Sequence, residues 1–145
     1  MYKITEYINE NHYITNKCDK KLKTDGVTCM IVHNIDTLSK FQVEMEGAKN
    51  AFRQNAIMKK DGASAFSFRV FTLEKNGHTP YHTHPFEHVN YVIEGNGCVV
   101  DKDGKETDLK KGDFVVIPSS EKHQYMNKSE TKPFIFICAV SSEYE

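Results

Sequence analysis

Seven consecutive residues, His82-Thr83-His84-Pro85-Phe86-Glu87-His88, carry three imidazoles, and a single threonine separates the first two. Histidine is the commonest protein metal ligand, binding through a neutral ring nitrogen. Alternate residues of an extended strand project from one face, so His82 and His84 are placed to grip the same ion. Two such imidazoles are half of a metal site. The chemistry to look for is metal binding, with polarisation of a small molecule held at the ion.

The elements around this stretch must be read for their ability to position it. Val27 to Val32 is a β-branched, apolar run, and Phe41 to Met45 alternates apolar with polar residues; both are expected strands. Ala51 to Lys59 fits a strand or a short helix. From Asp61-Gly62 onward the pattern is β. Ala65 to Glu74 reads as a strand with Phe66, Phe68 and Val70 on one face, and Asn76-Gly77 as a tight turn. Arg69, of opposite parity to those phenylalanines, is expected to face solvent or an interface rather than to bind a substrate carboxylate. Strands are expected through Tyr81 to His84 and from His88 to Glu94. A hairpin of Cys98 to Asp101 with Lys105 to Leu109 turns at Asp103-Gly104. Phe114 to Ile117 ends at Pro118, and Pro133 to Val140 is the last strand. Seven or more short strands with turns every eight to twelve residues point to a sandwich or small barrel.

The 145 residues suit one domain, and 19 basic against 20 acidic side chains give a net charge of −1. That balance gives no electrostatic reason for a nucleic-acid or anionic-membrane partner. No apolar run approaches a membrane span, and the N-terminal MYKITEYINENH lacks the basic-then-apolar order of a signal peptide, so a cytoplasmic protein is expected. Cys18, Cys29, Cys98 and Cys138 are far apart, without a CxxC pair, and read as reduced structural thiols. Residues 1–30 read as an N-terminal extension, with a short amphipathic helix around Ile4, Tyr7 and Ile8. His12 and His33 read as ordinary surface or core histidines.

Between Asn76 and Asn127 the chain resembles the cupin superfamily, whose first motif is glycine, five residues, HxH, three or four residues, glutamate, six residues, glycine. Here Asn76 stands at the first glycine, His82 and His84 form HxH, His88 takes the glutamate position and Gly95 closes the motif. The second motif is matched by Gly112, Pro118, His123 and Asn127, with Ser120 in place of its internal glycine. Asn76 tolerates a left-handed turn, whereas Ser120 implies a different loop path or some strain. The resemblance implies an all-β double-stranded β-helix, a jelly-roll barrel, over residues 31–145. It also implies one divalent transition metal per chain (Mn, Fe, Zn, Ni or Cu) on His82, His84, His88 and His123. Glu87 is the alternative ligand to His88, but the spacing to Gly95 puts His88 in the family's ligand register.

Four neutral imidazoles would leave the ion its full charge, one unit more positive than three histidines and a glutamate. Such a centre favours anionic or enolisable oxygen ligands. The expected function is a mononuclear metal-dependent enzyme, of dioxygenase or isomerase type, acting on a small oxygen-rich molecule. The alternative is a non-catalytic module that binds or senses a small ligand in the same barrel. No protein general base stands out. Asn90 and Val92 share the face of His88, Tyr125 and Asn127 that of His123, and Phe86 is a candidate cover for the metal. His78 reads as a turn residue. A homodimer is expected, through outward apolar residues Val89, Tyr91 and Ile93.

Overall fold

Alternating apolar and polar residues produce nine strands, which a computed structural model of residues 30–145 arranges as one curled sheet. These are β1 (Phe41–Gln42), β2 (Lys49–Ile57), β3 (Phe66–His78), β4 (His88–Glu94) and β5 (Asn96–Val100), then β6 (Glu106–Lys110), β7 (Phe114–Ile117), β8 (Gln124–Met126) and β9 (Phe134–Ser141). The pairing order is β6-β5-β8-β3-β9-β4-β7, with β2 on the other side of β3 and β1 beyond it. Every ladder is antiparallel. The 13-residue β3 joins the two layers: most of it pairs with β2 and β9, and its last residue, His78, pairs with Met126 of β8. This is the double-stranded β-helix. Leu73, Val92, Leu109, Ile117, Phe134 and Phe136 pack its core, with Tyr125 and Ala51.

Several expectations are corrected. Residues 30–34 form no strand, and Met30 and Val32 are exposed; residues 27–29, the N-terminal helix, His12, Cys18 and Cys29 lie outside the described residues. Of Phe41 to Met45 only Phe41 and Gln42 pair in a ladder. Ala51 to Lys59 resolves in favour of strand, as most of β2. The turn at Asn76-Gly77 does not end a hairpin. It forms a bulge inside β3, where the register jumps from Ala51↔Leu73 to Lys49↔His78. Asn76 takes φ 52°, and the Asn50 side-chain amide donates to the Lys75 carbonyl across the bulge. Tyr81 to His84 is not a ladder strand: only His82 pairs, in an isolated bridge with His123. The strand Gln124–Met126 had no sequence signal of its own.

Val70 of β3 is buried, but the two phenylalanines that share its parity are not. Phe66 and Phe68 point outward and are exposed, while Ser67 and Arg69 are buried inside. Apolar residues on both faces defeat a parity argument, because the outer face of this layer is itself apolar. Phe68, Ala139, Val89 and Val116 form one cross-strand row over β3, β9, β4 and β7.

Tight approaches fix the connections that carry the histidines. Gly95 has φ 79°, and a Cβ there would lie 2.1 Å from the Pro133 carbonyl oxygen, so only glycine fits between β4 and β5. Ser120 takes φ 65°, the left-handed conformation that its place in the motif implies. Its amide donates to the His84 carbonyl at 2.8 Å, which ties the loop before His123 to the His82–His84 segment.

Candidate metal centre and adjoining cavity

The bridge between His82 and His123 exchanges two backbone bonds, at 3.1 and 2.9 Å, and brings the two segments side by side. His82, His84 and His123 then converge: one ring nitrogen from each lies within 4.8 Å of the others. His88 adjoins this group without belonging to it. Its ring stacks on His84 with centroids 3.9 Å apart and lies 6.0 Å from His123. His88 points inward from β4 and is buried, whereas Glu87 is exposed.

The rings are oriented by backbone. Nδ1 of His82 bonds the Pro80 carbonyl at 2.9 Å, that of His84 the Phe86 carbonyl at 2.6 Å, and that of His123 the Glu121 carbonyl at 3.0 Å. A carbonyl can only accept, so each Nδ1 carries the proton and each neutral ring presents the lone pair of Nε2. The buried Nε2 atoms of His84 and His88 have no hydrogen-bond partner among the described residues. Phe86 stacks between the rings of His84 and Tyr144, with centroids at 4.4 and 4.3 Å, and so braces His84 from behind.

Burial sets the protonation state. Desolvation, aided by the nearby His84 and Arg69, pushes the His88 imidazole down to about 2, and desolvation pushes His123 down to about 4. His84 is lowered for the same reason. Such rings are neutral at pH 7 and need lose no proton to bind a cation. The donor set fits a divalent transition metal: imidazole nitrogens, a single tautomer fixed by outer hydrogen bonds, and unspent lone pairs facing one another.

A cavity of about 300 Å³ opens beside the histidines, and His82, His88 and His123 form part of its wall. Val43, Met45, Phe71 and Phe136 give the lining an apolar part. Such a mix of apolar wall and few polar groups suits a small organic ligand.

A cupin domain, Cupin_2, matches residues 69–140. The chain is 31% identical to the cupin 2 domain-containing protein of Halorhodospira halophila, with a TM-score of 0.60 over 70% of this chain and 68% of that one. The chain belongs to the cupin superfamily. Another similar cupin-fold structure is the polyketide cyclase RemF from Streptomyces resistomycificus, at TM-score 0.74 and 28% identity over 79% of this chain and 80% of that one. Gentisate 1,2 dioxygenase 1 of Aquipseudomonas alcaligenes is 31% identical over 98 residues, which is 62% of this chain. The chain spans only 28% of the length of that dioxygenase.

Within this cupin the remaining candidates separate. Asn90 and Tyr125 do line the cavity. Asn127 does not: its amide donates to the carbonyls of Leu73, Glu74 and Lys132 at 2.9 to 3.1 Å and pins the loop before β9. His78 closes β3, with Nδ1 near the Thr79 carbonyl and the Gln124 amide. Arg69 is the residue that sequence reasoning misplaced. It is 8% exposed and lines the cavity beside His88. The signal that could have found it is its parity with the apolar Phe71 and Leu73 further along the strand. Cys98 and Cys138 are buried free thiols.

Proposed function

We propose that His82, His84, His88 and His123 hold one divalent transition metal, and that the protein is a mononuclear metal-dependent enzyme of dioxygenase or isomerase type. Its substrate would be a small oxygen-rich molecule seated in the adjoining cavity. The observation that carries this reading is the set of Nε2 lone pairs left free by carbonyl-bound Nδ1 atoms. When bound, the ion supplies Lewis-acid polarisation or redox chemistry to a substrate oxygen. The chain supplies the rest: neutral imidazoles, an apolar wall that excludes water, and polar groups that orient the substrate. The resemblance over 98 residues to a gentisate dioxygenase and of the fold to a polyketide cyclase is in keeping with chemistry on oxygenated rings.

Metal analysis of protein purified without chelator tests the site. One equivalent of Mn, Fe, Zn, Ni or Cu per chain is expected, and His84→Ala should lose it. An empty site that fails to reload with any of these ions would sink the reading.

One observation favours non-catalytic binding: among the described residues Glu44 is the sole carboxylate lining the cavity, so they offer no carboxylate pair for acid–base work there. Turnover of diketones, phenols or sugars by the metal-loaded protein supports the enzyme. Tight binding without conversion supports the binder.

The same proposal covers the whole chain as residues 31–145 in one barrel behind an extension of residues 1–30, in a cytoplasmic homodimer. Support for the dimer is the outer apolar face, where Val89, Val116 and Phe66 are exposed and Phe114 is 75% exposed. Tyr91 and Ile93 are only half-exposed there. A monomeric mass in solution would remove the dimer.

A further inference from the structure

One row of the inner sheet face is built for an anion. Arg69 of β3 lies opposite Cys138 of β9, which lies opposite Asn90 of β4, so the three side chains stand abreast facing the cavity. Tyr125 reaches the same space from β8, its ring 4.5 Å from that of Phe136. Arg69 is 8% exposed, Tyr125 3% and Asn90 1%.

Their polar atoms are unspent. The Arg69 Nη2 donates to the Cys138 thiol at 3.3 Å, while the buried Nε finds no acceptor. Among the described residues no carboxylate lies within 4 Å of the guanidinium. Both amide atoms of Asn90 and the Tyr125 hydroxyl are also buried without a partner among the described residues. Buried polar groups are normally hydrogen-bonded, and an uncompensated buried charge costs far more than a neutral group. Three such residues in one cavity are therefore a demand for a ligand. Arg53 of β2 adds a second guanidinium to the lining, against the single carboxylate of Glu44.

We propose that Arg69, Asn90 and Tyr125 form a recognition site for the carboxylate of a small planar organic acid. The guanidinium offers parallel N–H donors to the two carboxylate oxygens, the arrangement arginine forms most readily. The Asn90 amide and the Tyr125 hydroxyl, buried and unpartnered among the described residues, supply further donors. Phe71 and Phe136 flank the acid's carbon skeleton; their rings stack at 5.5 Å. Asn90 lies two residues beyond His88 on β4, about 6.6 Å at ~3.3 Å per residue. An acid held at Arg69 thus projects a second oxygen toward the histidines. This last step rests on the metal reading; the anion site does not.

Calorimetric titration of the full-length protein with benzoate and with benzamide tests the site, as purified and again after chelation. The two probes share size and ring but differ in charge. Benzoate should bind at least tenfold more tightly than benzamide in both samples. Arg69→Met should weaken benzoate at least tenfold and leave benzamide unchanged. Asn90→Asp, which offers the guanidinium a carboxylate of the chain's own, should block benzoate even if Arg69→Met fails to fold. Equal binding of the probes by the chelated protein, or undiminished benzoate binding by either variant, would overturn the proposal. Metal content of the same samples judges the histidines separately. Benzoate selectivity in protein that is purified without metal and fails to reload it keeps the anion site and sinks the metal centre; metal without benzoate selectivity does the reverse.

Discussion

The histidine cluster and the Arg69–Asn90 row share one cavity and the strand β4, yet they treat their polar atoms in opposite ways. Three of the histidines have one nitrogen engaged by a backbone carbonyl, which leaves one lone pair per ring aimed inward. The Asn90 amide and the Tyr125 hydroxyl have no engagement, and Arg69 has only a thiol acceptor. The first arrangement fixes ring orientation for an ion that tolerates little error in position. The second leaves donors open to an organic ligand that brings its own acceptors. On the proposed reading, the metal centre is prepared by the chain alone, whereas the polar row is completed only by what it binds.

The largest expected effect separates the two regions. His84→Ala should lower metal affinity by about 100-fold or more, since it removes a ligand outright, while Asn90→Ala should leave metal content unchanged. Equal metal loss in both variants, measured by elemental analysis, would mean that the regions are one site.

Two asparagines give the next contrast. The Asn127 amide donates to three carbonyls, and the Asn90 amide has no partner among the described residues. Asn127→Ala should cost about 2–3 kcal/mol in denaturant unfolding, because it strands buried carbonyls. Asn90→Leu, of similar volume, should cost less than about 1 kcal/mol or stabilise, because it removes an unpaired amide. A comparable loss in both would show that Asn90 has an internal partner.

Acid sharpens the electrostatic side of the comparison. His88 is held down at about 2 and His123 at about 4, against an ordinary value of 6.5. Between those values the unfolded chain binds protons that the folded chain refuses. The stability from these rings is therefore complete above pH 6.5 and lost as pH falls below it, by up to about 1.4 kcal/mol per pH unit for each ring. Unfolding midpoints of chelator-treated protein from pH 7.5 to 4.5 should fall on the acid side. A flat profile would mean that the rings take up protons in place. The smallest effect belongs to Glu87. It is exposed, and Glu87→Gln should change stability and metal content by less than about 0.5 kcal/mol equivalent.

The approach of His82 and His84 was legible because it is local, whereas His123 reaches them through a bridge between distant segments. HxH alternation and the distance from His88 to Gly95 are counted along the chain, and Gly95 is fixed by contact with the Pro133 carbonyl. The β fold was legible for the same reason, through turns such as Asp101–Lys105, where the Asp101 carboxylate accepts from the amides of Asp103 and Lys105. The anion row was not, because Arg69, Cys138 and Asn90 meet through the register of three strands distant in sequence. Parity pointed the wrong way on β3, since Phe66 and Phe68 lie on an exposed apolar face. The bulge at Asn76-Gly77 was read as a turn because the backbone conformation it demands, positive φ at Asn76, is the same in both.

Anomalous diffraction from a crystal of the metal-loaded protein, recorded on both sides of the metal's absorption edge, tests the centre most directly. A single peak is expected, bonded to Nε2 of His82, His84, His88 and His123, with each carbonyl-bound Nδ1 left out. A peak elsewhere, ligation through Nδ1, or no peak at all would contradict it.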